Sequence, residues 1–267
     1  MDTIKKLLLS SCIALAFATP GYAADAEPLP VEEAEEAQSF FPGTFSGSAG
    51  FYTDYRFRGL SQTDEEAAVQ GTIEWSVDTP VEGVSLTLGA FGSNINFTPD
   101  TGAPDDGSIE IDYYGSLSWS LGDVGLSVGG IYYQYPDADN SLNQDFFEVT
   151  LGASYDINDD ISVGLDYAFS PEFFGDTGDA HHIRGNASYA LSFIPSPFPL
   201  SLSGGVGYQD FEDDDASYTY WDIGLSAEIH KNVSVSAQYI DTDTSPLIFE
   251  DRDIADSTVV GSISVSF

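Results

Sequence analysis

The segment VVGSISVSF, residues 259–267, decides the fold. Side chains alternate between the two faces of a β-strand, so Ile263, Val265 and Phe267 share one face and the three serines share the other. An apolar face backed by small polar residues is typical of an outer-membrane β-barrel, whose outer surface contacts lipid while its interior is polar. A terminal aromatic residue commonly closes the last strand of such barrels, so we expect Phe267 to be an assembly signal.

The same alternation recurs along the chain. In the stretch 109–121, apolar residues such as Ile109 and Leu117 occupy the odd positions, whereas Glu110 and Asp112 occupy even positions. The pattern predicts an all-β fold, a transmembrane, antiparallel, up-and-down β-barrel of about twelve strands, an even number as in single-chain bacterial barrels. The predicted strands lie near residues 44–55, 69–77, 84–95, 109–121, 124–135, 147–155, 161–169, 181–191, 198–208, 218–229, 233–241 and 257–267.

The connections between these strands alternate in length. The short ones are predicted at residues 79–83, 121–123, 157–160, 195–199 and 230–232, and the longer ones at 58–66, 96–107, 136–144, 171–179, 210–217 and 242–256. Outer-membrane barrels have short periplasmic turns and long extracellular loops, which predicts the cell outer membrane as the location and two periplasmic termini. A soluble β-sandwich is the main alternative, but its connections need not alternate so regularly.

The N-terminal region differs from the rest in composition. Lys5 and Lys6 precede an apolar run at 7–18 that is too short to span a bilayer, so residues 1–23 are predicted to be a signal peptide. Residues 24–43 are acidic and are predicted to be a flexible periplasmic segment, or alternatively a plug that folds inward. The barrel is then expected over residues 44–267.

The charge is strongly negative. The sequence has 44 acidic residues against 7 lysines and arginines, a formal net charge of −37. Such a surface repels nucleic acid and anionic lipid and attracts cations, so small solutes or cations are expected partners and nucleic acid is not. The predicted barrel adds outer-membrane lipid and the outer-membrane assembly machinery as expected partners. With 42% hydrophobic and 13% aromatic residues, the chain is not a disordered acidic tail.

Tyrosine and tryptophan residues lie mostly near the predicted strand ends. Amphipathic rings favour the membrane–water boundary, so they are expected to form two girdles around the barrel. Ordinary sheet aromatics are the alternative interpretation, since both residue types suit strands. The residues concerned are Tyr52, Tyr55, Trp75, Tyr113, Trp119, Tyr155, Tyr208, Trp221 and Tyr239.

Four short blocks carry a resemblance to a known family. They are DYRFRGLSQTD at residues 54–64, AAVQG at 67–71, FGSNINF at 91–97 and EIDYYG at 110–115. Together they resemble the opening signature of the proteobacterial TorF-like porin family. The resemblance implies an outer-membrane barrel with a transport role, and it supplies neither catalytic residues nor a substrate.

Charged residues at inward positions are the candidate pore-lining or constriction residues. Asp54 and Arg56 face inward if Phe51 and Tyr55 face lipid. Arg56 then either pairs with inward carboxylates to satisfy a crowded interior, or forms a charged constriction that sets selectivity. The candidates are Asp54, Arg56, Glu74, Glu110, Asp112, Glu148, Asp166 and Arg184.

The strand number and the small inward residues indicate a narrow, hydrated lumen. Barrels of about eight strands are filled by side chains and those of sixteen or more hold a wide channel, so about twelve is intermediate. The predicted function is a porin-like channel for passive diffusion of small solutes that prefers cations or small neutral molecules. The alternative is a closed structural or interaction barrel with acidic extracellular loops.

Catalytic and metal chemistry finds little support. Lipolytic barrels need a paired serine and histidine, and no such pairing follows from His181, His182 and His230. Residues 137–148 have calcium-loop spacing, but Leu142 stands where glycine is required, which favours a solvated acidic loop. We therefore predict no enzyme activity, no cofactor and no metal site.

Overall fold

A computed structural model describes residues 42–97, 107–212, 217–244 and 253–267. The predicted signal peptide and residues 24–41 lie outside these ranges. The described strands are β1 Thr44–Tyr52, β2 Arg56–Phe57, β3 Leu60–Ser61, β4 Ala68–Asp78, β5 Val84–Asn94, β6 Ile109–Leu121, β7 Val124–Gln134, β8 Phe146–Asp156, β9 Ile161–Ser170, β10 Ala180–Ala190, β11 Leu200–Phe211, β12 Tyr218–His230, β13 Val233–Thr242 and β14 Thr258–Ser266.

Twelve of these strands form a closed barrel. The order of neighbours is β1-β14-β13-β12-β11-β10-β9-β8-β7-β6-β5-β4, and every neighbouring pair is antiparallel. The predicted fold class is therefore confirmed. The short strands β2 and β3 pair only with each other and stand apart from the barrel sheet. Within the described ranges, no helix is long and apolar enough to cross a membrane.

Strand β1 closes the barrel by pairing with β14 on one side and β4 on the other. Phe51 lies opposite Ile263 in β14 and opposite Val69 in β4. At the end of the seam the amides of Gly47 and Phe267 donate to each other's carbonyl groups, both at 3.0 Å. Closure leaves no sheet edge with unpaired backbone groups, which is what a lipid environment requires.

The two faces of the barrel differ as the alternation predicts. In β6, Tyr113 and Leu117 are exposed on the outer surface, whereas Glu110, Asp112 and Ser116 are buried inside. Exposed large apolar side chains recur on all twelve barrel strands. A soluble monomer does not expose a continuous apolar band of this extent, so the outer surface is suited to lipid.

The barrel has two different ends. The terminal end carries the start of β1 and the close of β14, with connections at residues 79–83, 122–123, 157–160, 191–199 and 231–232. The hairpin end carries the connections at 53–67, 95–108, 135–145, 171–179, 212–217 and 243–257.

One predicted connection is too short. The segment joining β10 to β11 spans 191–199 and not 195–199, and it is longer than the 212–217 connection at the opposite end. The added residues form a turn that precedes the proline-containing stretch, in which the Ile194 amide donates to the Leu191 carbonyl at 3.0 Å. The alternation of connection lengths is therefore less regular than the sequence indicates.

The first strand also ends earlier than predicted. Strand β1 stops at Tyr52, and residues 53–67 turn into the barrel interior as the lumen hairpin, which contains β2 and β3. Tyr55 is buried and Tyr52 packs against the buried residues of the interior, so the prediction that these two residues belong to a lipid-facing girdle is wrong. Other girdle candidates, including Tyr113 and Tyr155, are exposed on the outer surface.

Candidate functional site

The tip of the lumen hairpin is a two-residue turn. Arg56 pairs with Ser61 and Phe57 with Leu60, which leaves Arg58 and Gly59 as the turn residues. Both have positive φ angles, 50° and 88°, as the common two-residue hairpin turn requires. Glycine adopts this conformation readily, whereas Arg58 does so at a steric cost that its surroundings must offset.

Contacts from several strands hold the tip inside the barrel. Arg58 Nη2 donates to Glu148 Oε2 on β8 at 2.6 Å, and Arg58 Nη1 donates to Gln209 Oε1 on β11 at 2.7 Å. The Tyr218 hydroxyl on β12 donates to the backbone carbonyl of Arg58 at 3.0 Å. The Arg58 and Glu148 side chains are only 8% and 2% exposed. The hairpin therefore reaches wall strands on different sides of the lumen.

Arg56 anchors the base of the hairpin and does not reach the barrel-wall carboxylates. Its Nε donates to Asp54 Oδ2 at 2.5 Å and its Nη2 donates to Glu65 Oε1 at 3.1 Å. Its Nη1 also donates to the carbonyl groups of Ile254 and Asp256, at 2.6 and 3.1 Å. Arg56 thus joins the hairpin to the connection between β13 and β14, whereas Arg58 is the arginine that meets the wall.

Asp54 organises the hairpin from within. In addition to Arg56, its carboxylate accepts hydrogen bonds from the hydroxyls of Ser61 and Thr63, at 2.6 and 3.0 Å. All four side chains are buried. Charge-assisted hydrogen bonds of this kind are stronger than neutral ones, so the hairpin has a defined internal structure.

Three wall residues, Glu110, Asp112 and Glu148, form a carboxylate cluster next to the hairpin. Glu110 accepts hydrogen bonds from the hydroxyls of Tyr55 at 2.5 Å and Tyr135 at 2.7 Å. Glu148 accepts from Tyr133 at 3.1 Å as well as from Arg58. Asp112 is 1% exposed, and among the described residues its Oδ1 has no hydrogen-bond partner. The cluster is therefore incompletely neutralised.

Aromatic side chains pack beside the cluster at the hairpin end. Tyr133 stacks on Phe146 with ring centres 4.2 Å apart, and Phe57 of the hairpin meets the Tyr133 ring edge to face at 5.7 Å. Phe173 and Phe174, from the connection between β9 and β10, cover Phe146. This part of the lumen is packed like a protein core.

A second polar group lies on the opposite wall. Arg184 Nη2 donates to Asp222 Oδ2 at 2.7 Å, and Gln238 Nε2 donates to Asp222 Oδ1 at 2.8 Å. Asp166 accepts from Asn186 at 2.8 Å. These residues belong to β9, β10, β12 and β13, so they extend the charged lining across neighbouring strands.

The remaining candidates and the histidines are also bonded. Glu74 on β4 accepts from the Tyr114 hydroxyl at 2.9 Å. His182 lies 2.9 Å from the Tyr220 hydroxyl inside the barrel, and His181 lies 2.7 Å from the Tyr167 hydroxyl. The predicted candidates are thus divided between the hairpin base, the carboxylate cluster and the rest of the wall.

Sequence reasoning missed three residues of this arrangement. Arg58 and Gln209 were not among the candidates, although they form the contact across the lumen. Asp222 was also missed, although it is the partner of Arg184. The available signal was Gly59, which indicates a tight turn within the predicted 58–66 connection.

The terminal end of the lumen has small hydroxyl side chains. Cross-strand pairs join Ser48 to Thr72, Ser76 to Thr87, Ser162 to Ser188 and Ser236 to Ser262, at 2.8, 2.9, 2.7 and 2.7 Å. A cavity of about 50 Å³ is lined here mainly by serines of β11 to β14. A polar cavity of this size has room for water.

The calcium-like segment is engaged in local hydrogen bonds. Hydrogen bonds from the hydroxyl and amide of Ser108 hold the pKa of Asp137 below its usual value. Asp139 accepts from the Ser141 amide at 2.9 Å, and Asp145 accepts from the Tyr135 amide at 2.8 Å. In the part of the chain that the structure describes, no group of three acidic, histidine or cysteine residues is arranged to hold a metal ion.

Comparison with known proteins identifies the family. The model of a family described as "Bacterial protein of unknown function (Gcw_chp)" matches residues 34–267, so the chain belongs to that family. A search of curated proteins finds no match.

Solved structures with the same fold include channels and an enzyme. The KdgM porin is similar at 11% identity and a TM-score of 0.51, covering 83% of this chain and 98% of that one. An active-site mutant of outer membrane phospholipase A from Escherichia coli is similar at 10% identity and a TM-score of 0.50, covering 88% and 94%. At these identities the likeness shows the fold, that of outer-membrane barrels.

Proposed function

We propose that this protein is an outer-membrane channel for passive diffusion of small solutes, narrowed by the lumen hairpin. The observation that carries the proposal is a polar, charged lumen inside a barrel whose outer surface is apolar. Polar and charged groups are costly to bury away from water, whereas a water-filled channel accommodates them. The fold similarity to the KdgM porin and the resemblance to TorF-like porins support the same function.

A preference for cations is part of the proposal. Inward carboxylates outnumber the arginines that face them, and a narrow lumen with low-dielectric walls concentrates their field on a passing ion. The arginines are Arg58 and Arg184. The inward carboxylates are those of Glu74, Glu110, Asp112, Glu148, Asp166 and Asp222. Small neutral solutes are the second expected class, because the serine-lined end offers hydroxyl partners without charge.

We also propose the location and the assembly route. An apolar outer band and a polar interior suit the cell outer membrane, with both termini in the periplasm. The exposed aromatic ring of Phe267 at the end of β14 is available to outer-membrane assembly machinery. Outer-membrane lipid is then the partner of the outer surface, and no catalytic step is part of the function.

A closed barrel is the second candidate function. The buried contacts of Arg58 and the aromatic packing at the hairpin end favour it, because they fill space that a channel needs. In that case the acidic connections at the hairpin end form the working surface of a structural or interaction protein.

Conductance separates the two functions. The purified barrel is reconstituted in planar bilayers, and single-channel current is recorded at several voltages. Discrete current steps are expected. Under a salt gradient, the reversal potential should shift toward the equilibrium potential of the cation. Anion selectivity would contradict the charge argument. Silence across voltages and preparations, in protein that migrates as folded barrel on unboiled gels, would favour the closed barrel.

A further inference from the structure

Glu148 of the carboxylate cluster already binds a cation that the chain itself supplies, the guanidinium group of Arg58. We infer that Glu110, Asp112 and Glu148 form a binding site for solutes that carry a guanidinium group, which Arg58 occupies in their absence. The inference deepens the proposed channel function and rests on it in one respect, because the lumen must admit the solute. It assigns guanidinium compounds as the class of solute that the lumen binds.

The contacts of Arg58 show what the site recognises. One guanidinium nitrogen meets the Glu148 carboxylate at 2.6 Å and another meets the Gln209 amide oxygen at 2.7 Å. Both acceptors belong to barrel strands, so they remain in place if Arg58 leaves. A planar fork of N–H donors matches two fixed oxygens in a way that a compact ammonium group does not.

The cluster has capacity for more positive charge than Arg58 provides. The cluster has three carboxylates, and the Arg58 guanidinium donates a hydrogen bond to only one of them, Glu148. Within the described ranges, Asp112 Oδ1 lacks a hydrogen-bond partner although the residue is 1% exposed. A buried polar atom without a partner is costly, and a donor from a bound solute would satisfy it.

An organic cation fits the cluster better than a metal ion. Each oxygen of Glu110 already accepts a tyrosine hydroxyl, from Tyr55 and Tyr135, and Tyr133 donates to Glu148. In the described part of the chain, no three candidate ligands are arranged to hold a metal ion. Guanidinium adds donors at the free oxygen without removing the tyrosine donors.

Arg58 acts as a tethered competitor in this arrangement. Its position on a two-residue turn keeps it close to Glu148, and a covalently linked ligand has a high effective concentration. A free guanidinium must displace it, so the apparent affinity is lower than the affinity of the vacant site. Displacement also releases the tip of the lumen hairpin, which couples solute binding to widening of the lumen.

The test follows the Gln209 side chain in the complete barrel. Protein with ¹⁵N-labelled glutamine is refolded in detergent micelles, and the Gln209 amide signal is identified by its loss in Gln209→Met. Methylguanidinium is titrated at constant ionic strength, with tetramethylammonium, which has no N–H donor, as the matched cation. We expect a saturable shift with methylguanidinium alone. Equal shifts with both cations, or none, would overturn the inference.

Two variants make the test specific. In Arg58→Gln the competitor is gone, so half-saturation should occur at a concentration lower by about tenfold or more. In Asp112→Asn binding should weaken. Lys231→Gln, which removes a positive charge in a turn at the terminal end, should behave as wild type. An unchanged half-saturation concentration in Arg58→Gln would refute competition. The titration measures binding without recording current. A barrel that conducts no current but binds methylguanidinium would therefore contradict only the proposed channel function and not the binding site.

Discussion

The two ends of the lumen are built from the same twelve strands, yet their interiors differ. At the hairpin end, the wall carries Glu110, Asp112 and Glu148 together with stacked aromatic rings, and the lumen hairpin packs against them. At the terminal end, the same strands present serines and threonines that bond across the ladder in pairs. Strand pairing and closure therefore do not decide what the lumen contains. The inward side chains and one inward connection do.

This difference assigns different tasks to the two ends. Under the proposed channel function, the section lined by small hydroxyls should select only weakly between ions, because serine and threonine side chains carry no charge. Under the same proposal, a section narrowed by Arg58 and the carboxylate cluster would force a solute to exchange its water for fixed polar groups. Selectivity and resistance are thus expected to arise at the hairpin end.

The largest expected effect comes from removing the lumen hairpin. Tyr52 and Ala68 are register partners, so residues 53–67 can be replaced by an Asn-Gly turn without changing the barrel ladder. Conductance in planar bilayers should rise several-fold, and cation preference should persist at a reduced level. Substituting Ser226→Ala at the terminal end should leave conductance unchanged. Equal conductance with and without the hairpin would break the comparison.

Phe267 is expected to matter for assembly and not for either section of the lumen. Its ring is exposed on the outer surface, and its backbone completes the seam with Gly47. Phe267→Ala should lower the amount of heat-modifiable barrel in the membrane and increase periplasmic degradation. Barrels that do assemble should conduct as wild type. Normal assembly of both Phe267→Ala and the deletion would refute the role.

Stability should also differ between the two ends. Phe146→Ala removes a ring that stacks on Tyr133, and large-to-small changes in a packed region cost about 3 kcal/mol of unfolding free energy. Ser236→Ala breaks only the hydroxyl pair with Ser262 and should cost about 1 kcal/mol or less. Urea unfolding in micelles, followed by tryptophan fluorescence, measures both. Similar losses would show that the hairpin end is not packed more tightly.

The smallest expected effect is on ion selectivity. Changing Glu110→Gln and Asp112→Asn together removes two negative charges near the hairpin, while Asp78→Asn removes one near the terminal end. Salt screens charges beyond about 8 Å at physiological ionic strength, so only the first pair should reduce the cation-to-anion permeability ratio. Reversal potentials under a salt gradient measure this ratio. An equal reduction by Asp78→Asn would place the selective section elsewhere.

The sequence alone predicts the barrel because alternation is a local property. Consecutive residues of each strand alternate between the lipid face and the lumen face, as Tyr113 and Asp112 do in β6, so the sequence itself indicates both faces. The closed, antiparallel arrangement of twelve strands is confirmed for that reason. Errors arose where local pattern and long-range geometry diverge, at the end of β1 and in the proline-rich 191–199 connection.

Only the tertiary structure decides what stands inside the barrel. The alternation continues past Tyr52, so nothing local shows that Tyr55 leaves the sheet and meets Glu110. Arg58 is 90 residues from Glu148 and 151 residues from Gln209 along the chain. Such contacts depend on where closure brings distant strands, whereas the faces of a strand depend only on its own residues. The sequence by itself therefore determined the wall, and closure determined the constriction.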